Sequence, residues 1–228
     1  MDESNRGTAA IMAQVRERGM RVERVNADLV LDLTRADGAQ ARLHASLWME
    51  RPDLFRVRST KWGFLVCDVI VRGDDASALL SSVVREQAQS SAEASVALAR
   101  VLGSLVGWRA GGGDPFEHFE VVEERDDAIV VRVLSDGAHA LEWTLARSDG
   151  RPLRVRRLEG DQVTGVLACE QPVDVDGVPL PTRLRFESAM GRIDVEVKKP
   201  RVNEPANDRA FDVPKDAERL VTTPPAPP

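Results

Sequence analysis

From residue 25 onward, apolar and polar side chains alternate with a period of two. Val25, Ala27, Leu29, Leu31 and Leu33 fall on one side, and Asn26, Asp28, Val30 and Asp32 on the other. That spacing predicts a strand with one face in a core. Asp37-Gly38 then supplies a hairpin turn. The next run repeats the pattern, with Ala41, Leu43, Ala45, Leu47 and Met49 against Arg42, His44, Ser46 and Trp48. A third strand, 53–59, follows Arg51-Pro52, and proline is tolerated at the start or edge of a strand. Phe55 and Val57 point one way there, and Arg56 and Arg58 the other. The fourth, "WGFLVCDVIVRG" at 62–73, is apolar on both sides, which predicts cover on both faces.

Two stretches break the alternation. Residues 4–19 have a helical apolar face made of Ile11, Met12 and Val15, with Ser4 or Asn5 as cap and Gly19 as stop. Residues 75–108 lack proline and place Leu79, Leu80, Val83, Val84 and Ala88 at helical spacing, followed by Val96, Leu98, Val101, Leu102 and Leu105. Two helices are expected, near 76–89 and 91–107. The second is apolar around more than half its girth, so it requires burial or a ligand. The glycine-rich loop 107–115 reads as a hinge.

Strands resume at 118–124, 128–135, 138–147, 151–159, 162–170, 180–188 and 191–199. Turn pairs such as Asp136-Gly137, Asp149-Gly150 and Asp176-Gly177 separate several of them, as in an antiparallel meander. About eleven antiparallel strands exceed what an open twisted sheet holds comfortably, so the sheet should curl. The expected fold is mainly β with helices (α+β): a half-open antiparallel barrel around an apolar cavity, with an N-terminal helix and a central helix pair as lid. Residues 1–220 are expected to form a single domain, and the proline-rich 221–228 a disordered tail.

Composition narrows the function. The formal net charge is −6, and four of the 31 cations are lysines, the rest arginines interspersed with acids. No basic stripe forms, aromatics are 4% and tyrosine is absent, so a nucleic-acid platform is disfavoured. The histidines, His44, His118 and His139, stand apart, and Cys67 and Cys169 form no metal-ligand spacing, so neither metal nor cofactor is expected. Both cysteines sit in apolar, strand-like runs, where buried free thiols are the default. No serine lies in a nucleophile elbow and the acids cluster at turns, so no catalytic group is nominated. No apolar run reaches the roughly 18 residues that a spanning helix needs, and no signal peptide is recognised within the chain.

The segment "LHASLWMERPDLFRVRS", followed by "GFLVCDVIVRGDD", resembles the LolA/LolB-like superfamily of lipoprotein carriers and acceptors. Two further pieces fall in the same order: "GVPLPTRLRFES", and the closing Phe-x-x-Pro segment in "ANDRAFDVPKDAERL". The resemblance implies an unclosed antiparallel barrel with helices over its mouth. It also implies non-enzymatic, non-covalent binding of lipoprotein acyl chains or lipids, in the periplasm or cell envelope. Donor or acceptor proteins anchored in the membrane would be partners, and the protein would act as a monomer. The arginine of the family's Arg-Pro pair matches Arg51, whose implied role is to hold the lid shut by hydrogen-bonding its backbone.

Carrying an acyl chain needs apolar area rather than a catalyst, since each buried methylene contributes about 0.8 kcal/mol. The candidate lining along the strands is Leu29, Leu31, Leu43, Leu47, Phe55, Val57, Phe64 and Val66. On the lid it is Leu80, Val84, Leu98, Leu102 and Leu105. For any single one of them, filling an ordinary core is the favoured reading, because packed interiors are the rule. Trp48, Trp62, Trp108 and Trp143 could rim the cavity or pack within it. The alternative is a sensor or protein-interaction domain of the same fold, with no transport role.

Overall fold

The computed structural model describes residues 3–73, 75–81, 96, 116–134, 139–189, 191–205 and 210–220, with backbone alone at 3–6, 134, 139 and 220. Helix α1 (Glu3–Arg21) is followed by β1 (Arg24–Arg35), β2 (Gln40–Glu50), β3 (Leu54–Lys61), β4 (Phe64–Arg72) and β5 (Asp75–Leu80). The second series is β6 (Phe119–Glu124), β7 (Ala128–Leu134), β8 (His139–Ala146), β9 (Pro152–Glu159), β10 (Gln162–Val175), β11 (Val178–Ser188) and β12 (Gly191–Val202). A short β13 (Glu218–Leu220) closes the series.

All thirteen strands form one sheet, ordered β13-β5-β4-β3-β2-β1-β12-β11-β10-β9-β8-β7-β6. Every pairing is antiparallel, and the sheet is unclosed, with β13 and β6 at its ends. Two hairpin meanders, β1–β5 and β6–β12, are joined where β1 pairs with β12. One hydrophobic cluster gathers side chains from β1–β5, from β7–β12 and from α1. A flat sheet of this width could not do that, so the sheet curls around its apolar face.

Two expectations are corrected. Residues 75–80 form strand β5, although their Ala-Leu-Leu spacing read as the start of a helix. Ala76 and Ala78 pair with Val71 and Val69 and are fully buried, so tertiary pairing overrides a weak local preference. Among the described residues α1 is the one continuous helix, and no central helix pair is seen. The rest of 76–107 lies outside the described residues except for Val96, which is buried in the core cluster.

The cover expected on both faces of β4 is present. The strand's inner face, Cys67, Val69 and Val71, belongs to the core cluster. Its outer face, with Asp68 and Ile70, is also buried, and the C-terminal segment lies against this side of the sheet. Arg56 donates to the Ala210 carbonyl at 2.8 Å and Arg72 to the Phe211 carbonyl at 2.7 Å. Between them these contacts carry the chain from β12, beside β1, across to β13, beside β5. The Arg56–Asp68 pair beneath is two-pronged, at 2.8 and 2.6 Å. Its hydrogen bonds to Asp68 push the Arg56 guanidinium above its ordinary pKa, despite partial burial.

Candidate functional site

The inner face of the first meander is built in cross-strand rows. Ala27, Leu47, Val57, Val69 and Ala78 stand in register from β1 to β5. Beside them run Val25, Met49, Phe55, Val71 and Ala76. Because side chains repeat every two residues, this register turns each of these residues to the same side. Of the expected lining, Leu29, Leu31, Leu43, Leu47, Phe55, Val57 and Val66 all fall in the core cluster, each at 5% exposure or less. Leu80 packs against that cluster. Val84, Leu98, Leu102, Leu105 and Trp108 lie outside the described residues.

Phe64 does not line this face, since it is 77% exposed at the tip of the β3–β4 hairpin. A bulge between Ser59 and Thr60 leaves Val66 without a partner. Beyond it Phe64 pairs only with Lys61, because β5 has already stopped opposite Cys67 and the β2 pairing has ended at Thr60. Trp62 next to it has φ 53° and is 85% exposed, with the Lys61 ammonium 4.9 Å from its ring centroid. Trp48 is half-buried on the outer side, whereas Trp143 is fully buried in the core.

The inner face is covered in part by α1. Ile11 and Met12 enter the core, and Val15 packs against it. The helix sits on the β8–β9 turn. A Cβ on Gly150, whose φ is +65°, would lie 2.8 Å from Val15 Cγ2, so glycine is required there on two counts. Thr8 Oγ1 donates to Glu124 at 2.9 Å, and Arg18 Nη2 donates to the Asp149 carbonyl at 2.5 Å. Burial lowers the Arg18 pKa from its ordinary value, against the pull of Asp149 and Asp174.

Arg51 is placed at the C-terminal end of α1. It donates to the Val22 carbonyl through Nε at 2.8 Å and to the Gly19 carbonyl through Nη2. A cation there adds to the hydrogen bonding of the carbonyls at the helix end and complements the helix dipole. The Arg51-Pro52 bond is cis, in the turn between β2 and β3. Asn203, just past β12, holds the same junction from the other side. Its side-chain oxygen accepts from the Glu23 and Arg24 amides at 2.8 and 3.2 Å, and its side-chain nitrogen donates to the Arg21 carbonyl at 2.8 Å. Asn203 escaped the sequence reading. An asparagine directly after a strand was the available signal, because asparagine tolerates the left-handed φ of 56° found here.

Beneath α1 lies a cleft of about 30 Å³, walled by Val15, Val22, Leu145, Val178 and Leu180 among others. A larger depression of about 220 Å³ lies on the outer face of β11 and β12, among Asp32, Arg183, Arg185, Asp194 and Glu196. Arg185 pairs there with Asp194 at 3.1 Å, while Asp32 and Glu196 pair with Arg42 and Lys198 alongside. No group of His, Cys, Asp and Glu among the described residues is arranged to hold a metal ion. Both cysteines are free. Cys67 is fully buried with Ser59 Oγ 2.9 Å from its sulfur, and burial pushes the Cys169 thiol up to about 12.

By sequence, no known family matches this chain and no curated protein does. By structure, several do. A LolA superfamily protein from Nitrosomonas europaea superposes with a TM-score of 0.62 at 13% identity, covering 89% of this chain and 96% of its own. A DUF1329 family protein from Desulfovibrio piger gives 0.63 at 10% identity, over 93% and 98%. A domain described as an outer membrane lipoprotein-sorting protein, from Vibrio parahaemolyticus, gives 0.59 at 11%, over 89% and 95%. With sequence identity this low, what is shared is architecture: the chain has the LolA-like fold.

Proposed function

We propose that this protein binds and carries lipoprotein acyl chains or lipids in the bacterial cell envelope, without catalysis. The observation that supports this most is the inner face itself. An unclosed sheet of the LolA-like fold turns a field of mainly Leu, Val, Ala, Phe and Met side chains inward. Burial of acyl methylenes against such a field supplies affinity without polar contacts. In this reading Leu29, Leu31, Leu43, Leu47, Phe55, Val57 and Val66 form the wall. Leu80, Val84, Leu98, Leu102 and Leu105 complete the lining, and Arg51 latches the cover through its hold on α1.

Native mass spectrometry of protein purified from a bacterial host tests this. Adducts with acyl-chain masses, lost on delipidation and regained with added lipid, are the expected result. Protein that emerges bare and takes up neither lipid nor a hydrophobic dye would end the carrier reading.

One observation favours a second reading. The apolar cleft among the described residues has room for about 30 Å³, and the wall residues are packed. An interior filled in this way among the described residues suits a sensor or protein-interaction domain of the same fold, and bare protein that still captures a protein partner is the outcome that would support it.

A further inference from the structure

Trp143 raises a question that packing alone does not answer. It is 1% exposed, and its ring meets Phe116 edge-on with centroids 5.3 Å apart. Yet its indole Nε1–H is buried without a hydrogen-bond partner. Buried indole donors ordinarily find an acceptor, because an unmade bond leaves the full desolvation cost uncompensated.

The residue lines the cleft beneath α1, and the chemistry of that cleft is one-sided. Its walls are mainly Val, Leu, Pro and Phe side chains, and among the described residues the polar side chains that line it are those of Trp143 and Arg18. Both are donors only, and no acidic side chain among the described residues lines the cleft. Arg18 comes from α1 and Trp143 from β8, so the two donors face a common space from the helix and from the sheet. The room of about 30 Å³ exceeds the roughly 10–15 Å³ that one water needs on the same measure. It therefore has room for a small polar group such as a carbonyl or carboxylate.

We infer that this cleft is the seat for the polar end of an acyl ligand, with a carboxylate or ester oxygen accepting from Trp143 Nε1–H and from Arg18. The inference rests on the acyl-binding reading above and deepens it by assigning the end of the ligand that sits beneath α1. The methylene tail then runs from the donors onto the apolar face.

The test uses the full chain, delipidated, titrated with oleate and separately with methyl oleate. Occupancy is read by native mass spectrometry, and the indole N–H resonances by NMR. The wild type should bind both, with one indole resonance shifting, the one that disappears in Trp143→Phe. That variant keeps the ring and removes the donor, and it should weaken both ligands about tenfold, the worth of a well-made hydrogen bond to a charged or polar acceptor. Arg18→Met keeps the stem and removes the charge. It should weaken oleate about tenfold and methyl oleate by less, since a charge-assisted bond is the stronger one. Arg18 is only half-buried on the helix, so this variant also serves if Trp143→Phe folds poorly.

Unchanged affinities in both variants, or an indole resonance that stays still while ligand binds, would overturn the seat and leave acyl binding standing. A wild type that binds neither ligand, yet holds other lipids, also overturns the seat alone. A wild type that binds no acyl compound at all removes both readings.

Discussion

The outer faces of β3–β4 and of β11–β12 carry the same chemistry in opposite settings. On β3–β4, Arg56 and Asp68 meet at 2.6 Å with side-chain exposures of 14% and 4%, beneath the C-terminal segment. On β11–β12, Asp194 meets Arg185 at 3.1 Å and Arg192 at 2.5 Å, with exposures of 34% to 45%. Geometry barely separates the two groups, but solvent does. A pair under cover must be complete, because either partner alone would be a buried charge. A pair in water is weakly coupled to stability. The difference shows which outer surface belongs to the architecture and which is free.

Asp68→Ala should be the most damaging change. It leaves Arg56 uncompensated under the C-terminal segment and should cost about 3–5 kcal/mol, read by denaturant unfolding. Hydrogen exchange should rise across 203–217 in the same variant. A loss under about 1 kcal/mol would mean that water reaches the pair.

The cover on the inner side invites the same question. Arg51→Leu removes the two bonds to the Gly19 and Val22 carbonyls and should cost about 1–3 kcal/mol. Exchange in α1 should speed up, and hydrophobic-dye binding should rise. If Asn203 alone holds the junction, both readouts will stay at wild-type values.

Asp194→Ala should cost least, about 0–1 kcal/mol and less in high salt. Hydrogen bonding to Arg192, above all, holds the Asp194 pKa below its ordinary value. The contribution is therefore present above the ordinary carboxylate range and is lost as pH falls through the lowered value. A pH titration of unfolding midpoints in wild type and variant should converge at the acid end. A difference that persists there would locate the effect in packing instead.

Most of the sheet was legible because one face is buried, and burial writes a period of two into the chain. Ten of the inner residues from Val25 to Val71 could be placed on the correct side from alternation alone. What alternation cannot report is the neighbour. Phe64 shares the parity of Val66, but the strands beside it have stopped, so it faces solvent. The apolar outer face of β4 announced a cover, but its source lay some 140 residues further along the chain, in a segment that reads as irregular. β13 was invisible because three residues carry no period. The role of Arg51 came from resemblance and its hold on α1 from structure. The orphan donor of Trp143 left no trace in the sequence, since a hydrogen-bond deficit is a property of packing.

The seam between β1 and β12 has a kinetic consequence. Each meander is knitted from hairpins whose partners are close in sequence, but Val25 meets Val202 only after nearly the whole chain has been made. Closing so long a loop costs entropy that the local turns do not. Folding should therefore run as two separate zippers, with their joining last and slowest. Truncations at Leu29 and Val195, on the seam, should speed unfolding and leave the folding rate nearly unchanged, while Leu47→Ala inside the first meander slows folding. The reverse pattern would mean that the seam nucleates the sheet.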